Sequence, residues 1–383
     1  MTDVSTCALP EDYLGKNTPK LGFGLMRLPK TEDDQIDVAQ TSRMVDAFIA
    51  AGGTYFDTAF VYAGSEDAIR QALVERYPRE SYTLASKCFA ANQPDAAMAQ
   101  AQLATSLERT GAGYFDYYLL HNLGDHRTQV FEDFGMWAWA QQMKEQGLIR
   151  HLGFSWHADA AQLDAVLTAH PEAEFVQLQI NYADWDDPQN QSRLCYECAL
   201  KHGKPVVIME PVKGGLLANP PQPVADVLKA ADAEASCASW AIRFAMDLPG
   251  IITVLSGMSN EEQMADNLAT FASFDGLTAE QRAVVDAARA VMAAIDQVPC
   301  TNCRYCVKGC PVQVPIPGIF GAMNLERVYG DHAKAQGEYN WVTNKGVKAS
   351  DCIQCGACEA VCPQHLPIIS LLEEAAGQYE QQA

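Results

Sequence analysis

The sequence predicts an α/β fold, a (β/α)8 barrel followed by a small α-helical domain. Between about residues 20 and 275, short apolar segments alternate with longer amphipathic ones, which is typical of parallel strands joined by helices. Eight such strands in roughly 250 residues favour a closed barrel. A doubly wound open sheet is the alternative, but no GxGxxG motif follows the first strand. Near residue 300 the alternation stops and two cysteine-rich runs begin.

The eight predicted strands are short and apolar. They cover residues 21–28, 54–59, 82–87, 114–121, 148–155, 174–181, 205–211 and 251–257. Amphipathic segments between them predict helices, for example over 40–52 and 94–111, and Gly111 stands where a helix is expected to stop. Residues 278–296 predict one more helix after the last strand. We therefore expect the barrel domain to span residues 1–296.

Two cysteine runs near residue 300 and residue 352 share the spacing C-x2-C-x2-C-x3-C-P. Their cysteines are Cys300, Cys303, Cys306, Cys310, Cys352, Cys355, Cys358 and Cys362. Bacterial ferredoxins hold [4Fe–4S] clusters with this run, whose fourth cysteine often ligates the other cluster. We therefore expect two clusters. The predicted ligand sets are Cys300, Cys303, Cys306 with Cys362, and Cys352, Cys355, Cys358 with Cys310. Zinc is the weaker interpretation, because a zinc site usually has only two C-x2-C pairs.

The segments around the cysteine runs predict helices. PGIFGAMNLERVYG lies between the runs and begins with proline, which is favoured in the first turn of a helix. LPIISLLEEAAGQYE follows the second run. We therefore expect residues 297–383 to form an α-helical ferredoxin-like domain that binds two [4Fe–4S] clusters, rather than the compact β-rich kind.

The composition disfavours several classes of partner. The formal net charge of the 383-residue chain is -21, which disfavours nucleic acid. No run of about 18 apolar residues is present, so no membrane partner is predicted. The first residues lack the basic start and apolar stretch of a signal peptide. Together with 13 cysteines, this predicts a reducing, cytoplasmic location.

Four polar residues stand at or just beyond the ends of predicted strands. Asp57 closes the second strand, and Tyr62 follows it in DTAFVYAGSE. Lys87 ends the third strand and His121 ends the fourth. The carboxyl ends of barrel strands meet at one face, where barrel enzymes carry out their chemistry. Each residue alone could cap a helix or pack in a loop, but their joint placement predicts an active site.

At these residues the chain resembles the aldo–keto reductase family, through DTAxxYxxSE and the later Lys87 and His121. The resemblance covers residues 20–275 and implies a barrel that reduces carbonyls with a nicotinamide cofactor. It also implies that Tyr62 is the general acid and that Asp57 holds Lys87. His121 is expected to orient the carbonyl oxygen. Because a nearby ammonium favours phenolate, we expect Lys87 to lower the pKa of Tyr62 toward the working pH.

The resemblance implies a cofactor site in which this chain changes three family motifs. The Ser-Asn pair after the fifth strand is Ser155-Trp156 here, and Met209 replaces an aromatic residue after the seventh strand. After the eighth strand the family reads G-x-[RK]-[ST] and this chain reads Gly257-Met258-Ser259-Asn260, so Ser259 replaces the basic residue. Gln179 matches the family's carboxamide-binding glutamine. Gly257, Gln263 and Asn267 match the family pattern, and together with Ser259 they complete the expected cofactor site.

These changes affect which cofactor is expected. Loss of the basic residue removes a contact to a 2′-phosphate of about 1.5–3 kcal/mol, which disfavours a strong preference for NADPH. NAD(P)(H) is one candidate, and a flavin is the alternative, because Trp156 and Met209 could pack on its ring. Ordinary packing at the barrel mouth is the other interpretation of these two residues and the favoured one. A flavin can also connect two-electron chemistry with one-electron clusters.

The whole pattern resembles the iron–sulfur branch of the aldo–keto reductase family. The leading hypothesis is an oxidoreductase that acts on a small carbonyl or alcohol, with electrons passed through the clusters to or from ferredoxin or another redox partner. An ordinary NAD(P)H-dependent reductase with structural clusters and a non-enzymatic electron-transfer subunit are the alternatives. A further C-x2-C at Cys195 and Cys198, on a predicted helix, is more typical of packing than of redox chemistry or metal binding.

Overall fold

Eight parallel strands form a closed barrel in the computed structural model, which describes residues 9–380. Each strand pairs with the next, and the last pairs with the first. The strands are β1 Leu21–Gly24, β2 Tyr55–Asp57, β3 Thr83–Cys88, β4 Phe115–Leu123, β5 Ile149–Trp156, β6 Phe175–Gln179, β7 Val206–Met209 and β8 Ile251–Ser256. Each lies at a predicted segment with ends shifted by a few residues, so the predicted (β/α)8 fold is confirmed.

Helices lie between the strands and after the last of them. They are α1 Val38–Ala50, α2 Ser65–Ile69, α3 Ala96–Thr110, α4 His126–Asp133, α5 Met136–Glu145, α6 Ala160–Ala169, α7 Ser192–Lys201, α8 Gln222–Ala231, α9 Cys237–Met246, α10 Glu261–Ser273 and α11 Ala279–Ala293. Side-chain caps fix several starts: Asp95 accepts from the N–H of Met98, and Asn260 from that of Gln263. Helix α3 ends at Gly111, whose φ of 66° is left-handed, as its glycine predicts.

Aromatic side chains fill the interior of the barrel below its carboxyl end. Tyr117 packs against Tyr55 and Phe175, with ring centroids 5.2 and 5.1 Å apart. Gly153 in β5 makes room for this layer, since a Cβ there would lie 2.5 Å from the Phe175 ring. Side chains two residues apart on a strand share a face. The next inward positions on β2, β3 and β6 therefore lie at the barrel's carboxyl end.

The chain divides into two compact units. One comprises residues up to 219 together with 228–285, and the other comprises 220–227 together with residues from 286 onward. The helices of the cysteine-rich region are α12 Tyr305–Lys308, α13 Ile316–Tyr329, α14 His332–Val342, α15 Ala357–Ala360 and α16 Ile368–Tyr379. They pack around buried Phe320, Met323 and Leu372, and the helices predicted on either side of the second cysteine run are present. Among the described residues, no helix is both long and apolar enough to cross a membrane.

Candidate active site and cysteine sites

Lys87 is the centre of a buried polar cluster at the carboxyl end of the barrel. Its side chain is fully buried and forms an ion pair with Asp57. Its ammonium donates to the carbonyl oxygen of Thr58 at 2.8 Å and to the Tyr62 hydroxyl at 3.3 Å. The second carboxylate oxygen of Asp57 accepts from Nε2 of Gln177 at 3.2 Å. These contacts fix the lysine against the tyrosine hydroxyl before any substrate is present.

The ion pair determines the charge of Lys87. Burial by itself lowers the pKa of Lys87, but the charges of Asp57 and Tyr62 and their hydrogen bonds outweigh burial and raise it above its ordinary value. The ammonium therefore keeps its proton over the working pH range. A permanent positive charge beside a phenol stabilises the anion that forms when the phenol gives up its proton.

The pKa of Tyr62 moves in the direction opposite to the one the sequence predicts. Burial raises it, and Lys87 lowers it by charge and hydrogen bond. Asp57 and Glu210 add negative charge and raise it again, so the net shift is upward. Lys87 thus lowers this pKa as expected, but burial, helped by the charges of Asp57 and Glu210, outweighs the lysine, so the pKa does not move toward the working pH.

His121 is positioned by a distortion of its own strand. The pairing of β4 with β5 shifts register between Leu120 and Leu123, and Asn122 adopts a left-handed φ of 64°. The Asn122 N–H donates to Oγ of Ser155 at 2.7 Å, which secures this bulge. The His121 ring then lies edge-on to the Tyr62 ring, with centroids 5.8 Å apart.

His121 is an uncharged ring in this setting. Burial, followed by the charges of Lys87 and His157, lowers its pKa well below the ordinary value. Its buried Nδ1 atom has no hydrogen-bond partner among the described residues. A neutral ring beside the tyrosine hydroxyl can donate a hydrogen bond to a carbonyl oxygen without competing for the proton. All four predicted active-site residues thus lie together.

The predicted carboxamide-binding positions already have partners within the chain. The Ser155 hydroxyl accepts from Asn122. The Gln179 amide donates to Asp184 at 3.1 Å and to Asn190 at 3.5 Å. Trp156 is only 3% exposed, and its indole N–H donates to the carbonyl oxygen of Ala158 at 2.9 Å.

The direction of Trp156 corrects a sequence-based expectation. Its ring packs against Phe154, two residues earlier in β5, with centroids 6.1 Å apart, and Phe154 in turn packs against Trp137 of α5. Trp156 therefore faces the helix layer and is not placed to stack on a ring in the barrel mouth. Met209 ends β7 on the interior side, in register with Gln179, and is partly exposed.

The loop after β8 is held by its own polar side chains. The N–H of Ser259 donates to Oε1 of Gln263 at 2.7 Å, and the Asn267 amide donates to Oγ of Ser256 at 2.7 Å. Ser259, at the position of the family's basic residue, is half-buried and carries no charge, and the neighbouring Met258 is fully buried. Gly257 is exposed beside this loop.

Two residues that sequence reasoning missed belong to this region. Gln177 donates a hydrogen bond to Asp57. The sequence could have predicted its inward orientation, because it lies two positions before Gln179 in β6 and therefore on the same face of the strand. Arg27 lies over Gly257, where a Cβ would be 3.6 Å from the arginine Cδ, and its carbonyl oxygen accepts from the Ser259 hydroxyl at 2.8 Å. The exposed Arg27 places a positive charge beside the loop that lacks the family's basic residue.

Four cysteines from both runs line one cavity in the C-terminal unit. Cys300, Cys303 and Cys306 come from the first run and Cys362 from the second. The rest of the lining is mixed: five apolar residues, Ile316, Pro317, Phe320, Leu366 and Ile368, and three polar ones, Thr301, Arg304 and Gln364. Burial, followed by the neighbouring Cys300 and Cys303, raises the pKa of the Cys306 thiol to about 11. Four thiols around one cavity fit an iron–sulfur cluster, whose iron provides the charge that keeps thiolates deprotonated.

The second predicted ligand set is less closely defined by the structure. Cys310 and Cys352 both pack against the core of the C-terminal unit. The charge of Cys352 contributes to the raised pKa of Cys358, after burial and Glu359. Cys355 is exposed. The structure thus brings Cys352 near Cys358, while the ligand role of this set stays a prediction.

Curated relatives of the barrel region are aldo-keto reductases. An "Aldo-keto reductase" from Mycolicibacterium vanbaalenii is 31% identical over 289 residues, which cover 74% of this chain and 93% of the relative. "Aldo-keto reductase str7" from Strobilurus tenacellus is 30% identical over 226 residues, covering 55% of this chain and 63% of the relative.

Solved structures of aldo-keto reductases share the barrel fold. The holo form of AKR11C1 from Bacillus halodurans superposes with a TM-score of 0.56 at 23% identity, covering 73% of this chain and 96% of that one. A Klebsiella pneumoniae enzyme in complex with NADPH gives a TM-score of 0.57 at 23% identity, covering 70% and 90% of the two chains.

Two family models match this chain, one over each of its two sites. The model of the 4Fe-4S dicluster domain matches residues 299–366, which contain all eight cysteines of the two runs. The model of the aldo/keto reductase family matches residues 20–290, which contain the barrel and the cluster around Lys87. The chain is therefore an oxidoreductase that belongs to the aldo/keto reductase family and carries an iron–sulfur domain after its barrel.

Proposed function

We propose that this chain interconverts a carbonyl and an alcohol of a small molecule in its barrel, with electrons exchanged through two [4Fe–4S] clusters in its C-terminal unit. The observation that carries the proposal is the contact of the Lys87 ammonium with the Tyr62 hydroxyl at 3.3 Å, backed by the buried ion pair with Asp57. This arrangement suits proton donation to a carbonyl oxygen. The raised pKa of Tyr62 supports the reductive direction, because a general acid must hold its proton until the oxygen needs it.

Each side chain of the cluster has one role in the proposal. Reduction of the carbonyl takes two electrons, which the redox carrier would supply, and two protons. Tyr62 donates its hydroxyl proton to the carbonyl oxygen, Lys87 stabilises the negative charge left on the phenol oxygen, and the carbon takes the second proton from solvent. His121, kept neutral by burial, orients the carbonyl oxygen by a hydrogen bond. Asp57 and Gln177 hold Lys87 in place and do not touch the substrate.

The cysteine runs supply the ligands of the two clusters in the proposal. Cys300, Cys303, Cys306 and Cys362 would hold one, and Cys352, Cys355, Cys358 and Cys310 the other. When bound, such clusters carry electrons one at a time, so the chain could receive them from ferredoxin or a similar carrier. The cavity shared by Cys362 and the first run supports the crossed assignment.

The expected nicotinamide site offers few free contacts, which favours ferredoxin or a similar carrier over NAD(P)H as the electron source. Ser155 and Gln179 have partners within the chain, and Trp156 faces the helix layer. A nicotinamide would have to displace some of these contacts, although the Klebsiella pneumoniae relative binds NADPH. Arg27, beside Gly257, is the cation that would meet a dinucleotide phosphate. A flavin remains the alternative carrier at this mouth.

The proposal is tested by changing only the source of electrons. Anaerobically purified protein with full iron and sulfide content is given a panel of carbonyls together with either reduced ferredoxin or NADPH. Turnover with ferredoxin that disappears in a Cys306→Ser variant supports the proposal. Turnover with NADPH alone, unchanged in that variant, would identify an ordinary reductase with structural clusters. A yellow chromophore released on denaturation would identify the flavin alternative.

A further inference from the structure

The paired cysteines outside the cluster runs lie on one side of a helix. Cys195, Cys198 and His202 occur at the spacing C-x2-C-x3-H along and just after α7. Residues separated by three and then four positions lie on the same side of a helix. Helix α6 packs beside α7 in this unit and presents Asp164 to that side.

Three of these side chains converge on one point. His202 Nε2 lies 2.9 Å and Cys198 Sγ lies 3.9 Å from Oδ1 of Asp164. The ligand atoms of the three residues all lie within 4.8 Å of one another, and this is the one such group found in the described part of the chain. The chain thus gathers a thiol, an imidazole and a carboxylate from two neighbouring helices.

We propose that Asp164, Cys198 and His202 bind a divalent ion of the zinc type that links α6 to α7. Zinc favours sulfur, imidazole nitrogen and carboxylate oxygen ligands in a tetrahedral arrangement. The three side chains provide one of each, and the Asp164 side chain is 45% exposed, which leaves water to take the fourth position. The site lies on the helix layer and is independent of the reaction proposed for the barrel mouth.

Two neighbouring residues bear on metal binding: Lys201 competes with the ion for Asp164, and Cys195 provides a control cysteine. Nζ of Lys201 lies 3.1 Å from the same Asp164 oxygen, and its side chain is 67% exposed, so an incoming cation can displace it into solvent. The thiol of Cys195 is hydrogen-bonded to the carbonyl oxygen of Ala158 at 3.6 Å and is not counted among the ligands. On binding, Cys198 becomes a thiolate and its proton passes to solvent.

Zinc titration of the cluster-loaded protein tests the site. Calorimetry should show one zinc per chain that is weakened about tenfold or more by Cys198→Ser and by His202→Asn, since even outer partners of a metal ligand contribute 10–100-fold. Lys201→Gln should tighten binding by removing the competing ammonium, while Cys195→Ser should leave it unchanged. X-ray absorption should show one sulfur at about 2.3 Å and lighter ligands at about 2.0–2.1 Å.

The same measurements can overturn the proposal. Wild-type protein without a zinc site, or wild type, Cys198→Ser and His202→Asn with equal affinities, would do so. A loss in Cys195→Ser as large as that in Cys198→Ser would overturn the ligand assignment. Matched iron content and melting temperatures of all variants, measured in chelator, establish that folding is not what differs between them.

Discussion

The barrel site and the cysteine site are held in place by different kinds of contact. In the barrel, the polar side chains contact one another directly. Lys87 forms an ion pair with Asp57 and a hydrogen bond with Tyr62, and Gln177 donates a hydrogen bond to the second carboxylate oxygen of Asp57. In the C-terminal unit, four thiols from two distant segments face a shared cavity. The first site is held by contacts between its own polar side chains, and the second by the packing that brings cysteines of two segments to one cavity. Each site should therefore be breakable without the other.

The largest effect is expected from breaking the buried ion pair. Lys87→Met leaves the carboxylate of Asp57 buried without its partner, and such a change costs about 3–5 kcal/mol. It also removes the charge that supports Tyr62, so carbonyl reduction should be lost. Urea unfolding followed by tryptophan fluorescence measures the stability.

The double variant Asp57→Asn with Lys87→Met separates these two effects. Removing both charges should restore most of the lost stability, because no unpaired charge remains, and should restore no activity. Iron content should stay at the wild-type level in both variants. A double variant as unstable as Lys87→Met would show that the pair matters through its shape rather than its charge.

The next effect concerns the crossing of the cysteine runs. Cys362→Ser should abolish the same cluster as Cys300→Ser, although the two cysteines belong to different runs, because they line one cavity. Iron should fall from about eight to about four atoms per chain in both. The remaining electron paramagnetic resonance signal should be identical in the two variants and different in Cys355→Ser. A Cys362→Ser signal that matches Cys355→Ser instead would mean that each run holds its own cluster.

A smaller effect is expected at Gln177. Gln177→Leu removes a hydrogen bond to a charged group, worth about 1.5–3 kcal/mol, and should lower kcat/KM roughly tenfold. Burial raises the pKa of Asp57, and the Gln177 amide is one of the contacts that lower it. Its loss should therefore raise this pKa further and move the acid limb of the pH–rate profile to higher pH. A lower rate with an unmoved limb would assign Gln177 to packing alone.

The smallest effect is expected at Arg27. This side chain is exposed, so its contact with a phosphate should be worth less than about 1 kcal/mol. Arg27→Gln should reduce the ratio of NADPH to NADH affinity about two- to fivefold, with NADH binding itself unchanged. Dissociation constants of both nucleotides, measured by fluorescence, give this ratio. An unchanged ratio would mean that the 2′-phosphate lies elsewhere.

The sequence predicts most of what depends on spacing along the chain. The eight strands, the positions of Asp57, Tyr62, Lys87 and His121 at or just beyond strand ends, and the two cysteine runs all follow from local patterns. Such patterns are strong because a strand end or a metal-ligand run needs fixed residue types at fixed distances.

Contacts between distant segments are what the sequence could not predict. Gln177 meets Asp57 across 120 positions, and Asp164 meets Cys198 from another helix. From the sequence, Trp156 is expected in the cofactor site because it directly follows Ser155. Side chains alternate along β5, however, so Trp156 points to the face opposite to Ser155, toward the helix layer. The net upward pKa shift of Tyr62 depends most on burial, which the sequence does not give, and to a smaller extent on Lys87, Asp57 and, after β7, Glu210.

Tyr62, kept protonated beside Lys87, is proposed as the proton donor of a carbonyl reduction. The most direct measurement is the pH–rate profile of anaerobic carbonyl reduction by wild type and Tyr62→Phe, with reduced ferredoxin in excess. The raised pKa predicts that the wild-type rate falls only above the ordinary tyrosine range, where the phenol loses its proton. Tyr62→Phe should lose about 10²–10⁴-fold in rate while keeping its iron content and stability. A variant that reduces carbonyls at the wild-type rate, with the same profile, would contradict the claim.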